Sequence, residues 1–137
     1  MLREIITDPL LLSRKSMPAA KEDMQTVQDL LDTIHANAER CVGMAANMIG
    51  EYKTILVAQI GKKYEVLINP EITKFAGKKF QVEEGCLSLQ GVRSTERYPV
   101  IHVSYLDEKF HPKKRVFRGF EAQIIQHEID HFSGILI

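Results

Sequence analysis

The sequence predicts an α+β fold. Two patterns carry that expectation. One amphipathic helical segment lies near the N-terminus and another near the C-terminus, and a series of short strand patterns runs between them without alternating helices. Length adds a third observation. The chain has 137 residues, which fits a single domain over residues 1–137. A chain of that size buries about two-thirds of its unfolded surface and needs no cross-links to hold together.

Residues 1–20 read as irregular, punctuated by Pro9 and Pro18. From Lys21 to Ala38 the apolar residues Met24, Val27, Leu30, Leu31, Ile34 and Ala38 recur at spacings of three and four, the pattern of a helix with one core face. The segment 40–50 is small and uncharged after Arg40 and reads as tightly packed loop or strand. Thr54–Ile60 is a buried-strand candidate, Gly61-Lys62 a turn, and Tyr64–Asn69 the returning arm of a hairpin. Asn69-Pro70 interrupts that arm. Further strands are expected at Glu71–Phe75, Lys79–Glu83, Tyr98–Leu106 and Lys113–Phe117, with Asp107–Lys109 turning the chain between the last two. Phe120–His131 reads as the second helix, bounded by Gly119 and Gly134.

Composition narrows the function. With 18 basic and 18 acidic side chains the formal net charge is zero, which argues against nucleic-acid binding through a broad basic field and leaves a local patch open. Two cysteines, Cys41 and Cys86, are too few for a disulfide framework. The N-terminus carries Arg3, Glu4 and Asp8 in place of an apolar signal core, and no apolar run reaches the roughly 18 residues of a membrane span. A cytoplasmic protein with reduced thiols is expected, with no membrane partner.

The second helix carries chemistry. His127-Glu-Ile-Asp-His131 fits H-E-x-x-H. Positions four apart on a helix differ by about 40° around the axis and roughly 6 Å along it, so both imidazoles can face one metal ion. Glu128 can then reach a water on that metal as general base. Histidines on helices are common without a metal. Here Phe120, Ile124 and Ile125 give the helix an apolar face that should turn His127 and His131 inward, where a buried pair needs a partner. A third ligand is required. The six residues after His131 offer none, so it is sought upstream. Glu84-Gly-Cys-Leu-Ser88 supplies Cys86, whose thiolate suits a divalent metal. Gly85 permits a close approach beside it. His35, His102 and His111 read as structural or surface residues.

These segments resemble those of the peptide deformylases, a family marked by a G-x-G-L-A-A-x-Q loop, an E-G-C-L-S segment and an H-E-x-D-H helix. The second motif is matched in full by Glu84–Ser88 and the third by His127–His131, including Asp130; Cys41–Met48 matches the first in part. The resemblance implies an α+β metallohydrolase, with small mixed or antiparallel sheets packed around a central metal-binding helix. Such an enzyme removes the formyl group from the N-terminal formylmethionine of nascent polypeptides. Carried over, Cys86, His127 and His131 hold one divalent ion, Fe2+ in cells, with Zn2+ or Ni2+ able to take its place. Glu128 takes a proton from the metal-bound water and passes it to the leaving amine, and the Leu87 backbone N–H helps hold the oxyanion. Glu84 and Arg97 pair to brace a ligand imidazole, Arg93 contacts the peptide backbone, and Gly43 lets the substrate pair alongside as an added strand. A solvated ion pair, a loop charge and a turn glycine are the simpler alternatives for those four residues.

Three departures matter. Cys41 stands where the family has its first glycine. Met44 replaces leucine at similar volume. Met48 replaces the glutamine that donates to the formyl oxygen, and a thioether cannot donate; losing one such donor typically lowers turnover about 10²–10³-fold. Asn47 or Gln90 would have to replace it. Reduced or altered deformylase activity is therefore expected. The alternatives are a non-catalytic, metal-bound protein that recognises N-termini, which Met48 favours and Glu128 opposes, or a hydrolase of a different N-acyl group. The chain stops at Ile137, so ribosome proximity through a C-terminal extension finds no support here.

Overall fold

The structure is a computed structural model that describes residues 1–137. In chain order it contains α1 (Pro9–Leu12), α2 (Met24–Ala36), β1 (Gly43–Ala45), β2 (Ile55–Ile60), β3 (Lys63–Ala76), β4 (Phe80–Cys86), β5 (Leu89–Arg97), β6 (Val100–Leu106), β7 (Pro112–Arg118) and α3 (Gly119–Phe132). Short 3-10 turns precede α2 at Lys21–Asp23 and follow β1 at Ala46–Ile49. Five strands form one sheet in the order β1-β2-β3-β6-β7, and β4 and β5 form a separate two-stranded ribbon. All paired strands are antiparallel, and the fold is the α+β arrangement the sequence predicts.

The sheet is a partition between two apolar cores. On one face Val27, Leu30 and Ile34 of α2 pack with Ile55, Val57, Val66 and Ile68, and with Met44 and Met48. On the other face Ala122, Ile124, Ile125 and Phe132 of α3 pack with Leu56, Ala58, Leu67, Ile101, Val103 and Phe117. Alternate residues of β2 thus serve opposite cores, which is why Ile55–Ala58 is apolar without a break.

The β2–β3 hairpin turns at Gly61, whose φ of +64° favours glycine. The interruption expected at Asn69-Pro70 is a register shift within one long strand rather than a break between two. Pro70 has no N–H to give a ladder, and Asn69 adopts φ +50°. The Asn69 side chain accepts from Ala19 N (2.8 Å) and Thr54 Oγ1 (2.6 Å) and donates to Ala19 O (3.0 Å). The irregularity fastens the N-terminal segment to the sheet.

Two sequence expectations need correction. β5 carried no strand signal, because Leu89–Arg97 has no apolar alternation; within the two strands of the ribbon only Glu84 and Arg97 are buried. Phe120 does not belong to the apolar face of α3. It is 61% exposed and lines a cavity instead.

Candidate metal centre

Three elements converge at that cavity. The β4 end brings Glu84 and Cys86, α3 brings His127, Glu128 and His131, and β1 brings Gly43. A cavity of about 220 Å³ is lined by these elements, with Cys41, Leu87, Phe120, Gln123 and Ile124 among its walls.

The sulfur of Cys86 and one nitrogen from each of His127 and His131 lie within 4.8 Å of one another. The His131 Nε2 atom is 3.5 Å from Cys86 Sγ and 3.2 Å from His127 Nε2. His127 places Nδ1 2.8 Å from Glu84 Oε1, which leaves Nε2, 3.2 Å from His131 Nε2, as the ring nitrogen that faces the cluster. Glu84 is held in turn by Arg97 through Nε–Oε2 (3.0 Å) and Nη2–Oε1 (2.7 Å). Arg97 also donates from Nη1 to Asp130 Oδ2 at 2.7 Å. A continuous chain therefore runs from the imidazole of His127 through Glu84 and Arg97 back to α3 at Asp130, the carboxylate–histidine support usual around metal ligands. Asp130 enters here as the far anchor, a role its place in the motif alone did not specify.

Burial sets the electrostatics. Desolvation raises Glu84, but hydrogen bonds from His127 and Arg97 outweigh it and hold the carboxyl at about 2. Burial works against the charged form of His127 as well, yet Cys86 and Glu84 draw it up to about 10. His131 is pushed down to about 3, by burial and then by the His127 charge. Burial lifts Glu128 to about 7. That carboxyl is 4% exposed, its Oε1 has no hydrogen-bond partner, and it lies 3.9 Å from His131 Nε2. One thiol and two imidazoles converging on a point, with an unpartnered carboxylate beside them, are chemically suited to a divalent metal with an open coordination position.

Other residues named from the sequence fall in different places. Leu87 and Gly43 line the cavity. A Cβ on Gly43 would lie 2.6 Å from Ile124 Cγ2 and 2.8 Å from Glu128 Oε2, so only glycine lets β1 run this close to the carboxylate. Met44 and Met48 are buried in the α2-side core and are absent from the cavity wall. Asn47 is committed elsewhere, its amide donating to His131 O (3.2 Å) and Leu12 O (3.4 Å). Gln90 is exposed and away from the cavity. Arg93 pairs in register with Glu84, donates to Gln90 O at 3.3 Å and does not line the cavity. Sequence reasoning passed over Gln123, whose spacing four before His127 marks it as a neighbour on the same helix face.

A family model described as polypeptide deformylase matches residues 3–137. A peptide deformylase of Clostridium beijerinckii is 54% identical over 137 residues, covering all of both chains. One from Aquifex aeolicus is 36% identical over 146 residues, covering 98% of this chain and 85% of the relative. Among solved structures, an actinonin-bound class I type b peptide deformylase from Acinetobacter baumannii superposes with TM-score 0.88 at 28% identity, covering 99% of this chain and 95% of the other. The Thermotoga maritima peptide deformylase gives TM-score 0.88 at 27% identity, again over 99% and 95%. Sequence likeness along the whole chain and likeness of fold agree with the two complete motifs that meet at the cavity, and the chain belongs to the polypeptide deformylase family.

Proposed function

We infer that this chain, an enzyme of the deformylase family, removes the N-formyl group from the N-terminal formylmethionine of nascent polypeptides, and that its 137 residues act as one catalytic unit. The observation that carries the reading is the unpartnered Glu128 Oε1 beside the converging Cys86, His127 and His131 donors, at a cavity lined by Cys86, His127 and Glu128. Those three residues would hold one divalent ion, Fe2+ in cells with Zn2+ or Ni2+ as substitutes, which when bound polarises the formyl carbonyl and acidifies a water.

The remaining steps belong to the chain. Glu128 accepts the proton of the attacking water and delivers it to the leaving amine nitrogen, a task suited to a carboxyl lifted to about 7 by burial. Leu87 lines the cavity, and its backbone N–H donates to the developing oxyanion. Glu84 and Arg97 fix the His127 ring. Gly43 lets an extended peptide lie along β1. Among the relatives, the Acinetobacter baumannii enzyme has been seen with Met-Ala-Ser bound, which supports a methionyl peptide as the ligand class. No helix is long and apolar enough to cross a membrane, and a cytoplasmic location is the matching proposal.

Met48 sets the rate. Its thioether offers no donor and sits in the apolar core, while Asn47 and Gln90 are turned to other tasks, so turnover is reduced relative to relatives that carry glutamine. The decisive experiment is deformylation of formyl-Met peptides by the wild type and by Glu128→Gln. Activity that falls at least about 100-fold with peptide binding retained supports the reading. Wild-type protein that binds such peptides without hydrolysing them establishes the binding-protein alternative, and preference for another N-acyl group redirects the substrate.

A further inference from the structure

The first departure from the family pattern, Cys41, acquires a role from the sheet geometry. β1 is the terminal strand of the five-stranded sheet. Gly43 faces Ala58 in register, and Gln59 N donates to Val42 O at 2.8 Å. Peptide groups alternate sides along a strand, so Val42 turns its carbonyl to β2 and Gly43 turns its carbonyl outward, to the unpaired edge. Gly43 and Cys41 both line the cavity. The Cys41 Sγ atom lies 2.8 Å from Gly43 O.

We propose that Cys41 determines how tightly the substrate backbone is held, by donating its thiol hydrogen to the Gly43 carbonyl that an added peptide strand would otherwise have to itself. The proposal rests on the deformylase reading above, which supplies the peptide. Cys41 is 7% exposed, and burial, then the charge of Glu128, push its thiol up to about 12, so the donor hydrogen is present at neutral pH. A carbonyl has two lone pairs. The thiol does not block the peptide; it takes one lone pair and weakens the acceptor left for a substrate N–H. A glycine at position 41, as in the resembling family motif, exerts no such competition.

The test is the affinity of the metal-loaded protein for Met-Ala-Ser, measured by titration calorimetry. Alongside it run two analogues in which the first or the second peptide N–H is replaced by an ester oxygen. In Cys41→Ala the all-amide peptide should bind about twofold to threefold more tightly than in wild type, a fraction of one net hydrogen bond because the thiol only weakens the acceptor. The ester penalty at one of the two positions should grow by the same factor. Cys41→Ser keeps a donor and should behave as wild type. Equal ester penalties in wild type and Cys41→Ala at both positions overturn the proposal. So does a loss of affinity shared by amide and esters, which marks a merely structural thiol, and so does an absence of binding to either protein. Deformylation of formyl-Met-Ala-Ser, measured separately, judges the function itself.

Discussion

Arg97 ties the ribbon to α3 through Glu84 and Asp130. Its guanidinium is buried at 4% exposure and makes three hydrogen bonds to Glu84 and one to Asp130. Arg97→Met removes the cation and leaves the Glu84 carboxylate, 5% exposed, with only His127 as partner. Breaking a buried pair from one side costs about 3–5 kcal/mol, because the surviving charge stays desolvated. For a chain of this length that is a fall of roughly 10–20 °C in Tm. Glu84→Leu combined with Arg97→Met removes both buried charges. It leaves the partly solvated Asp130 and the His127 Nδ1–H without their partners, an unmade hydrogen bond of about 1–3 kcal/mol, so the double variant should be more stable than Arg97→Met alone. Metal affinity should behave differently. The brace on His127 is missing in the double variant, and lost support of that kind lowers affinity about 10–100-fold. Urea unfolding of the metal-free proteins and a competitive chelator titration measure the two quantities separately. Single and double variants of equal stability, or a double variant with wild-type metal affinity, would refute the reasoning.

Gly43→Ala should leave metal content unchanged and lower kcat about 100-fold, because the new Cβ meets Ile124 and Glu128 and shifts the carboxylate; unchanged kcat would show that Glu128 tolerates the displacement. Met48→Gln should raise kcat, by up to about 100-fold if its amide reaches the oxyanion. It should also cost about 1–3 kcal/mol of stability by placing an amide in the apolar core; thermal melts beside the formyl-peptide assay read both, and an unchanged kcat removes Met48 as the limiting group. Adding metal at a hundredfold excess over Kd should stabilise the metal-free protein by about 2.7 kcal/mol. In hydrogen exchange that protection should concentrate in residues 80–97, since the ribbon is the element the metal ties to α3.

The parts of this molecule that were legible in the sequence are those whose physics is local. The α2 face shows as Val27, Leu30 and Ile34 at helical spacing, and each is buried. The β2–β3 hairpin shows in its β-branched arms and Gly61. The ligand set shows because His127 and His131 share one turn of helix and Cys86 follows a glycine. What the sequence hid was built across distance. Leu89–Arg97 lacks apolar alternation because the residues its ribbon buries, Glu84 and Arg97, are charged and satisfied by each other; a hydrophobic pattern is blind to a strand held by ions. Phe120 was assigned to a core for its chemistry, and only the placement of β1 and β4 makes it a cavity wall. The commitment of Asn47 to two carbonyls depends on residues 35 and 84 positions away.

That division also separates two sides of the candidate metal centre. The ligand side is cross-braced: His127 is fixed by Glu84, Glu84 by Arg97, and Arg97 by Asp130, one turn along the same helix. Removing Glu84 or Arg97 strands a buried charge, so substitutions there act on stability and on the support of His127 together. The β1 side carries no such network. Cys41, Met44 and Met48 are packed by apolar contact and a single thiol hydrogen bond, and apolar positions accept changes of similar volume at low cost. Substitutions on that side leave the chain from His127 through Glu84 and Arg97 to Asp130 in place. The three departures within the first family motif, Cys41, Met44 and Met48, all fall on that side.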